Sequence, residues 1–421
     1  MTENKKISYK GIHWMIMIYS IVLLFFMTGL TVDGLNAIIP GLANLRGWDP
    51  HSILSISTPA TMIALFATMF FGKVIEKIGL KQTTIISLII AGLVTIWYGH
   101  AKSLTTYAIA LTLMITFISG FSVVCGFSIT AQWFPRTKGY VMGITTIGMN
   151  LASALIVPIL TKLSHLFNDN PNGDISIAIT IMGIVMIIIA IFTKICISAT
   201  PEGAGVLPDN MPYDDTLTKH EENNEPKLTY REIFSKKQTW LTGISNGFNG
   251  MATVGIMSQL VPFFMFRGFT QAKAIGTLSL AAIIGIAGSY LWGIIDHKIG
   301  TKKAQVYFGI FYGIGILLLT MENTYMMYIG LFLLGMGIGG NGNFPPSMAT
   351  SLFGRKDFAS SYSIINTIVG FVRSLAFIVL ARILAATSGN FVIAYYVFAA
   401  IAFCGSVVSS FIKVPKVPGE I

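Results

Sequence analysis

The sequence predicts an all-α membrane protein with twelve transmembrane helices in two pseudo-symmetric six-helix bundles. Three observations predict it: too little charge for a water-soluble globule, recurring apolar runs of membrane-spanning length, and a repeat about a polar central stretch.

Of the 421 residues, 53% are hydrophobic and 11% charged, with mean hydropathy +0.71. A soluble domain carries about 25% charged residues, so lipid must cover most of this surface. Inside lipid every backbone N–H and C=O has to be paired within the element, which leaves helices or a closed barrel. The apolar runs are continuous rather than alternating, and a helix of about 20 residues crosses a hydrocarbon core of about 30 Å.

Twelve such runs are expected at 13–40, 53–73, 83–100, 105–132, 139–163, 175–196, 239–266, 273–296, 303–321, 325–350, 358–385 and 390–412. The formal charge of +10 does not call for nucleic acid, because the basic residues sit in the short loops. Sorted by alternate loops, Lys5, Lys6, Lys10, Lys73, Lys77, Lys81, Arg136, Lys138, Lys298, Lys302, Lys303, Arg355, Lys356, Lys413 and Lys416 share the side of the N-terminus, together with those of the central stretch. The other side holds only Arg46, Lys102, Lys162, Arg267, Lys273 and Arg382. The positive-inside rule then places both termini in the cytoplasm, and the chain is expected in the inner membrane. The polar start, Met1 to Lys10, leads into the first run without a small-residue cleavage site, so that run is expected to be retained as a helix.

Between runs six and seven, residues 197–237 contain Pro201, Pro208, Pro212 and Pro226 and the acids Asp214, Asp215, Glu221, Glu222 and Glu225. Such a composition reads as a linker without a core of its own, so the expected layout is a bundle at 1–196, a cytoplasmic linker at 197–237 and a bundle at 238–421. The end of the linker, Leu228 to Trp240, mixes Tyr230, Ile233 and Phe234 with Arg231, Lys236 and Lys237, a pattern for a short helix on the inner membrane surface.

The halves repeat. After run two the chain reads Gly72-Lys-Val-Ile-Glu76-Lys77-Ile78-Gly79-Leu-Lys81, and after run eight Gly293-Ile-Ile-Asp296-His297-Lys298-Ile299-Gly300-Thr-Lys302, at an offset of 221. Phe134-Pro135-Arg136 and Phe353-Gly354-Arg355 match at an offset of 219. Parallel repeats of this kind are a transporter plan, with substrate bound near the bilayer midplane.

The two Gly-to-Lys loops resemble the signature loop of the major facilitator superfamily, and the resemblance extends from about residue 12 to 412. It implies the major facilitator fold and secondary transport by alternating access. Gly72, Glu76, Gly79, Lys81, Gly293, Asp296, His297 and Gly300 are implied as gate-loop residues that steady one state of the cycle. Glu76 departs from the usual Asp, and His297 falls at the acidic position of the second copy, with Asp296 just before it. Within the superfamily, three segments are similar to the oxalate:formate antiporter and monocarboxylate transporter branch: Trp133-Phe-Pro-Arg136 followed by Gly139, Gln259-Leu-Val-Pro262 running to Gly268, and Asn343-Phe-Pro-Pro346 followed by Leu352-Phe-Gly-Arg355. That branch implies small organic anions as substrates.

Few charges lie inside runs. Arg373 is about fifteen residues into the eleventh, roughly 22 Å of helix rise, where an arginine costs about 2.5–3.5 kcal/mol to insert. Contact with a substrate anion is expected. The other readings are a structural ion pair and a guanidinium that snorkels outward. The branch implies a basic residue in this run and, for a dicarboxylate, a second in run eight. Gly276 to Ile295 holds none, which favours a monocarboxylate or a zwitterion. Asp33 in run one is a candidate coupling group, the alternatives being a partner for Arg373 or a solvated surface acid. Asn246, Asn249, Gln259, Asn341 and Asn343 are candidate substrate contacts, although amides also serve as hydrogen-bonded helix glue.

Other signals carry nothing. Gly337-Ile-Gly339-Gly340-Asn-Gly342 matches a dinucleotide fingerprint as text, but it lies inside an apolar run without a preceding strand. Close helix packing explains it, as it explains Gly139/Gly143, Gly243/Gly247 and Gly309/Gly313. The histidines His13, His51, His100, His165, His220 and His297 are scattered, Cys125, Cys196 and Cys404 are far apart, and neither set forms a metal site or a disulfide framework. No phosphate-binding Lys loop or catalytic set is readable, so an ATP-driven pump and an enzyme are not expected, and no cofactor is expected.

The functional reading is therefore a secondary transporter of a small, monocarboxylate-like organic anion, working as a proton symporter or an anion exchanger. Its expected partners are the anion, protons as coupling ion, and membrane lipid, with no nucleic acid. A drug or apolar-metabolite exporter is the alternative carrier. A membrane nutrient sensor is the alternative of another class, and it would need a signalling region larger than the ten residues after Phe411.

Overall fold

The computed structural model describes residues 9–166, 173–211 and 227–415. Lys5, Lys6, His220, Lys416 and the acidic cluster of the linker lie outside the described residues. Among the described residues there are nineteen α-helices, eighteen of which group into twelve spans. In order these are α1 (Gly11–Thr28) with α2 (Leu35–Arg46), α3 (Pro50–Thr68) with α4 (Phe71–Ile78), α5 (Leu80–Gly99), α6 (Leu104–Ser119) with α7 (Phe127–Trp133), α8 (Lys138–Ser164) and α9 (Ile175–Cys196). A short α10 (Tyr230–Ser235) precedes α11 (Lys237–Met257) with α12 (Leu260–Phe266), α13 (Gln271–Ile299), α14 (Thr301–Leu319), α15 (Thr324–Asn341) with α16 (Phe344–Phe353), α17 (Phe358–Ser374) with α18 (Ala376–Ala386), and α19 (Phe391–Ser410). The helices run a few residues past the apolar limits read from the sequence, because polar caps such as Asp49 and Thr270 extend them into the loops.

Among the described residues nine spans are long and apolar enough to cross a bilayer on their own, and α11 with α12 makes a tenth, bent by 50°. The ninth and tenth spans are diluted by glycine, tyrosine and amide residues such as Gly309, Tyr312, Gly340 and Asn341.

Spans one, four, seven and ten share a feature that apolar runs do not reveal: each is interrupted. Span one passes through a π-helical segment, Gly29–Asp33, and breaks at Gly34. Span four carries a π-helical segment at Gly120–Gly126. Span seven breaks at Ser258 and Gln259, and span ten at Gly342 and Asn343. Applying the 221-residue offset brings the breaks of the two halves into register to within about one turn. Such π segments and broken helices concentrate at functional sites. Span eleven has a further break at Leu375, directly after Arg373 and Ser374.

The chain divides into two compact units, Met1–Pro135 with Leu151–Thr218, and Arg136–Asn150 with Lys219–Ile421. The first part of α8 thus belongs to the second unit. In the first unit α5 and α9 meet through Gly92 and Gly183, where a methyl added to either would come within 2.6 Å of the other's carbonyl oxygen. In the second unit α13 and α15 approach as closely: a methyl at Gly288 would stand 2.3 Å from Met336 O, and one at Gly339 2.0 Å from Gly285 O. Backbones this close gain dispersion contacts that lipid cannot replace. The glycine pairs read from the sequence do this work. Gly139 and Gly143 face Asp296 and Gly293, Gly243 and Gly247 face Ile368 and Val372, and Gly309 and Gly313 face Ser406 and Phe403.

The linker corrects one expectation. Residues 197–211 are folded, with 3-10 turns at Glu202–Ala204 and Pro208–Asn210, and Pro208 and Asp209 are buried. They are held because two buried aromatic donors of the first unit face them: Trp133 Nε1 donates to Ser198 O at 3.1 Å, and the His13 ring is 3.1 Å from Leu207 O. The composition was read as if the segment stood alone, and its core is borrowed from the ends of spans one and four. Helix α10 forms as expected, with Thr229 and Glu232 capping each other. The N–H of Thr229 holds the Glu232 carboxylate below its usual pKa. Ile233 is buried, and Tyr230 Oη lies 3.0 Å from Ser363 Oγ, which fastens α10 to the start of span eleven.

Candidate functional site

The amphipathic pattern of α17 puts Ile368, Val372 and Arg373 along its contact with α11. The side chains descend onto Gly243, Gly247 and Gly250, one after another. Gly250 has no side chain to obstruct the arginine stem, so the stem lies flat along α11. A methyl there would be 3.2 Å from Arg373 Cδ. Arg373 is exposed on α17. Among the described residues Arg373 has no hydrogen-bond or ion-pair partner.

Gln259 lies in the break of span seven and Asn341 ends α15 just before the break of span ten, and both are half-buried. Gln259 uses its backbone carbonyl to accept from Tyr395 Oη at 3.4 Å and from Phe263 N at 2.8 Å, which fixes the bend. The other amides are packed. Asn343 is fully buried: its Oδ1 accepts from Thr146 Oγ1 and its Nδ2 donates to Ser289 O at 2.9 Å. Asn150 Nδ2 donates to Ser289 Oγ at 2.9 Å, and Ser289 Oγ to Gly339 O at 2.8 Å. This network joins α8 and α13 to the tenth span and occupies both polar atoms of the Asn343 side chain. Asn246 donates to Thr242 O at 2.9 Å and is buried. Asn249 is buried against Gly309 and Gly405, away from solvent.

In the first unit Asp33 ends the π segment of span one, half-buried. Its Oδ2 accepts from Ser153 Oγ of α8 at 2.5 Å, and its carbonyl accepts from Asn36 Nδ2 at 3.0 Å. The π segment adds a residue to the turn and leaves the acid at a helix break.

The two signature loops take the same backbone conformation. Gly79 has φ 86° and ψ 156°, Gly300 φ 81° and ψ 148°, a region that excludes side chains. Gly72 is buried in α4, Glu76 is exposed and Lys81 is half-buried. In the second copy Asp296, not His297, turns inward. Asp296 is buried, and a methyl on Gly139, at the start of α8, would lie 2.7 Å from its carboxyl carbon. A carboxylate at a helix start is favoured by the helix dipole. His297 is exposed, because one helical step rotates it by about 100°.

Sequence reasoning missed a second repeat. Arg46-Gly47 and Arg267-Gly268 also stand 221 apart. Arg46 Nη2 donates to Gly99 O at 3.3 Å, and Arg267 Nη2 donates to Thr320 O. The acceptors are again 221 apart, and the matching dipeptides were the signal available in the sequence.

Comparison with known proteins gives the family. The sequence profile described as Major Facilitator Superfamily matches residues 21–377. The uncharacterized MFS-type transporter YhjX of Escherichia coli K12 is 20% identical over 299 residues, covering 70% of this chain and 69% of that protein. The proton:xylose symporter XylE, solved with 6-bromo-6-deoxy-D-glucose, superposes with a TM-score of 0.76 at 11% identity, over 96% of each chain. The E. coli fucose:proton symporter FucP superposes with a TM-score of 0.70 at 12% identity, over 96% of this chain and all of that one. At such identities the structural likeness speaks for the fold alone. Twelve spans, repeated signature loops and a profile match over most of the length agree: the chain is a multi-pass membrane transporter that belongs to the Major Facilitator Superfamily.

Proposed function

We propose that the protein carries a small organic anion with one carboxylate across the cytoplasmic membrane by alternating access, as a proton symporter or an anion exchanger. The observation that carries this reading is Arg373, a cation inside the eleventh span that is exposed and, among the described residues, has no hydrogen-bond or ion-pair partner. Removing a guanidinium from water is costly unless an anion compensates it. A carboxylate from solution accepts two parallel hydrogen bonds from the guanidinium fork. Gln259 and Asn341, at the breaks of spans seven and ten, are the uncharged contacts in this reading. Asp33 is the coupling group, exchanging a proton while Ser153 holds its carboxyl. The resemblance to the oxalate:formate antiporter and monocarboxylate transporter branch supports the substrate class, and the absence of a basic residue from Gly276 to Ile295 of span eight supports a monoanion. The bundles at 1–196 and 238–421 are the moving parts, with both termini cytoplasmic.

The test is uptake into proteoliposomes of labelled formate, lactate, pyruvate, oxalate and a zwitterionic amino acid, with and without a proton gradient. Arg373→Ala is expected to lower uptake of the best anion at least hundredfold, and Arg373→Lys to retain part of it. Equal uptake by Arg373→Ala and the parent protein would remove the anion site.

A further inference from the structure

The loop after the first span and the loop after the seventh are one structural element, built twice. Arg46 and Arg267 each clasp a carbonyl oxygen across the loop, that of Gly99 and of Thr320. Each arginine precedes a glycine of positive φ, Gly47 at 66° and Gly268 at 86°. Each glycine precedes an aromatic ring set edge-on to a tyrosine: Trp48 is 5.8 Å from Tyr107, and Phe269 is 6.3 Å from Tyr328. Each loop closes on an N-cap residue, Asp49 or Thr270, that starts the next span. Every pair stands 221 residues apart. The arginine clasp is therefore structural in both copies.

The chemistry has diverged between the copies. In the first, Asp49 Oδ2 accepts from Ser52 N and Ser52 Oγ, both at 2.9 Å, and its charge offsets that of Arg46. In the second, the cap is the neutral Thr270, and Lys273 stands where the first copy has Ser52. The formal charge of the element changes from zero to +2. Among the described residues neither Arg267 nor Lys273 has a carboxylate partner, and Glu322 in the neighbouring loop is exposed and pairs with neither. Arg46 and Arg267 both keep Nε buried without an acceptor, and the Arg267 guanidinium lies 5.4 Å from the Phe263 ring centre.

A cavity of about 510 Å³ opens at this second copy, lined by Arg267, Lys273, Thr270, Thr277, Thr324 and Tyr328, a size typical of small-molecule sites. Gly276 borders it, and a methyl added there would meet nothing within 4 Å. The cavity sits at the first turn of α13, whose other end carries Gly300 about 43 Å of helix rise away. It therefore lies on the membrane face opposite the signature loop. That face is poor in cations, with six Lys and Arg by sequence, and two of those six line this one cavity.

We propose that this cavity is a second anion-binding site, separate from Arg373, that takes a small dianion with two carboxylates. Two cations supply the charge, and the hydroxyls of Thr324 and Tyr328 supply hydrogen bonds. The site stands whether or not Arg373 contacts a transported anion.

Titration calorimetry on the purified full chain in detergent tests it, with succinate as probe and butyrate, of equal length and one carboxylate, as control. Succinate is expected to bind at least tenfold tighter than butyrate. The double variant Thr270→Asp, Lys273→Ser restores the charge pattern with which the first copy of the element folds. It is expected to weaken succinate at least tenfold with an unchanged thermal midpoint, as is Gly276→Phe, which fills the space. Arg373→Gln is expected to leave succinate binding within twofold of the parent. The proposal is overturned if the parent fails to bind succinate, if both cavity variants bind it as the parent does, or if Arg373→Gln abolishes the binding.

Discussion

Arg373 of the eleventh span rests its aliphatic stem on Gly250 of the seventh in a tight contact: an added methyl would stand 3.2 Å from Cδ and 3.3 Å from Cγ. The glycine thus sets the height at which the guanidinium is held. Gly250→Ala is expected to raise the KM for the transported anion three- to tenfold with little change in the amount of folded protein, since a stem can shift by a few tenths of an ångström. Gly250→Val is expected to lower uptake as far as Arg373→Ala does. Kinetics of proteoliposome uptake, set against detergent-extracted yield, distinguish a displaced guanidinium from a misfolded chain.

Asp33 closes the π segment of span one and takes its hydrogen bond from Ser153 of α8. An amide cannot release a proton. Asp33→Asn is therefore expected to abolish stimulation by a proton gradient and to keep anion exchange within about threefold of the parent. Counterflow in preloaded vesicles reads the exchange, and uptake at two external pH values reads the coupling. Gradient-driven uptake that persists in Asp33→Asn would assign coupling elsewhere.

The tenth span approaches the eighth so closely that Gly339 has no space for a methyl: one would lie 2.0 Å from Gly285 O and 2.4 Å from Ser289 N. Backbone has little freedom to yield. Gly339→Ala is expected to cost about 1–3 kcal/mol or more and to separate Ser289 from its acceptor on Gly339. A fall of several degrees in the thermal midpoint, followed by fluorescence-detected size exclusion, checks this. Gly276→Ala, with open space around it, serves as the control.

Asp296 and His297 are adjacent in sequence and opposite in orientation. Asp296 is buried beside the start of α8, and Thr301 Oγ1 and Ser347 Oγ pair with each other at 2.9 Å across the adjoining loop. A carboxylate at a helix start contributes about 0.3–2 kcal/mol. Asp296→Asn is thus expected to change maximal uptake two- to thirtyfold at an unchanged KM. His297→Ala is expected to match the parent. Equal effects of the two would mean that the loop acts through its backbone alone.

How much was legible in advance differs by residue. The pairing of Gly79 with Gly300 could be read from spacing, because a turn that needs positive φ leaves a glycine in both copies. Arg373 could be singled out because a charge within an apolar run violates the rule that governs its neighbours. The amides could not be sorted. Asn341 and Asn343 are two residues apart in one glycine-rich run, yet the first is half-buried at a helix break and the second is consumed by Thr146 and Ser289, roughly 200 and 55 positions away. The folded part of the linker was equally hidden, because its partners His13 and Trp133 belong to spans one and four.

By itself, then, the sequence determined the solvent, the number of crossings, the duplication and the family. Each of these follows from local composition or from repetition along the chain, and hydrophobic transfer acts on every residue regardless of its neighbours. Tertiary structure alone decided which helices break, which acid of the Asp296-His297 pair turns inward, and which polar side chains remain open. Those outcomes depend on how closely backbones from distant segments approach and on which donors arrive opposite which acceptors.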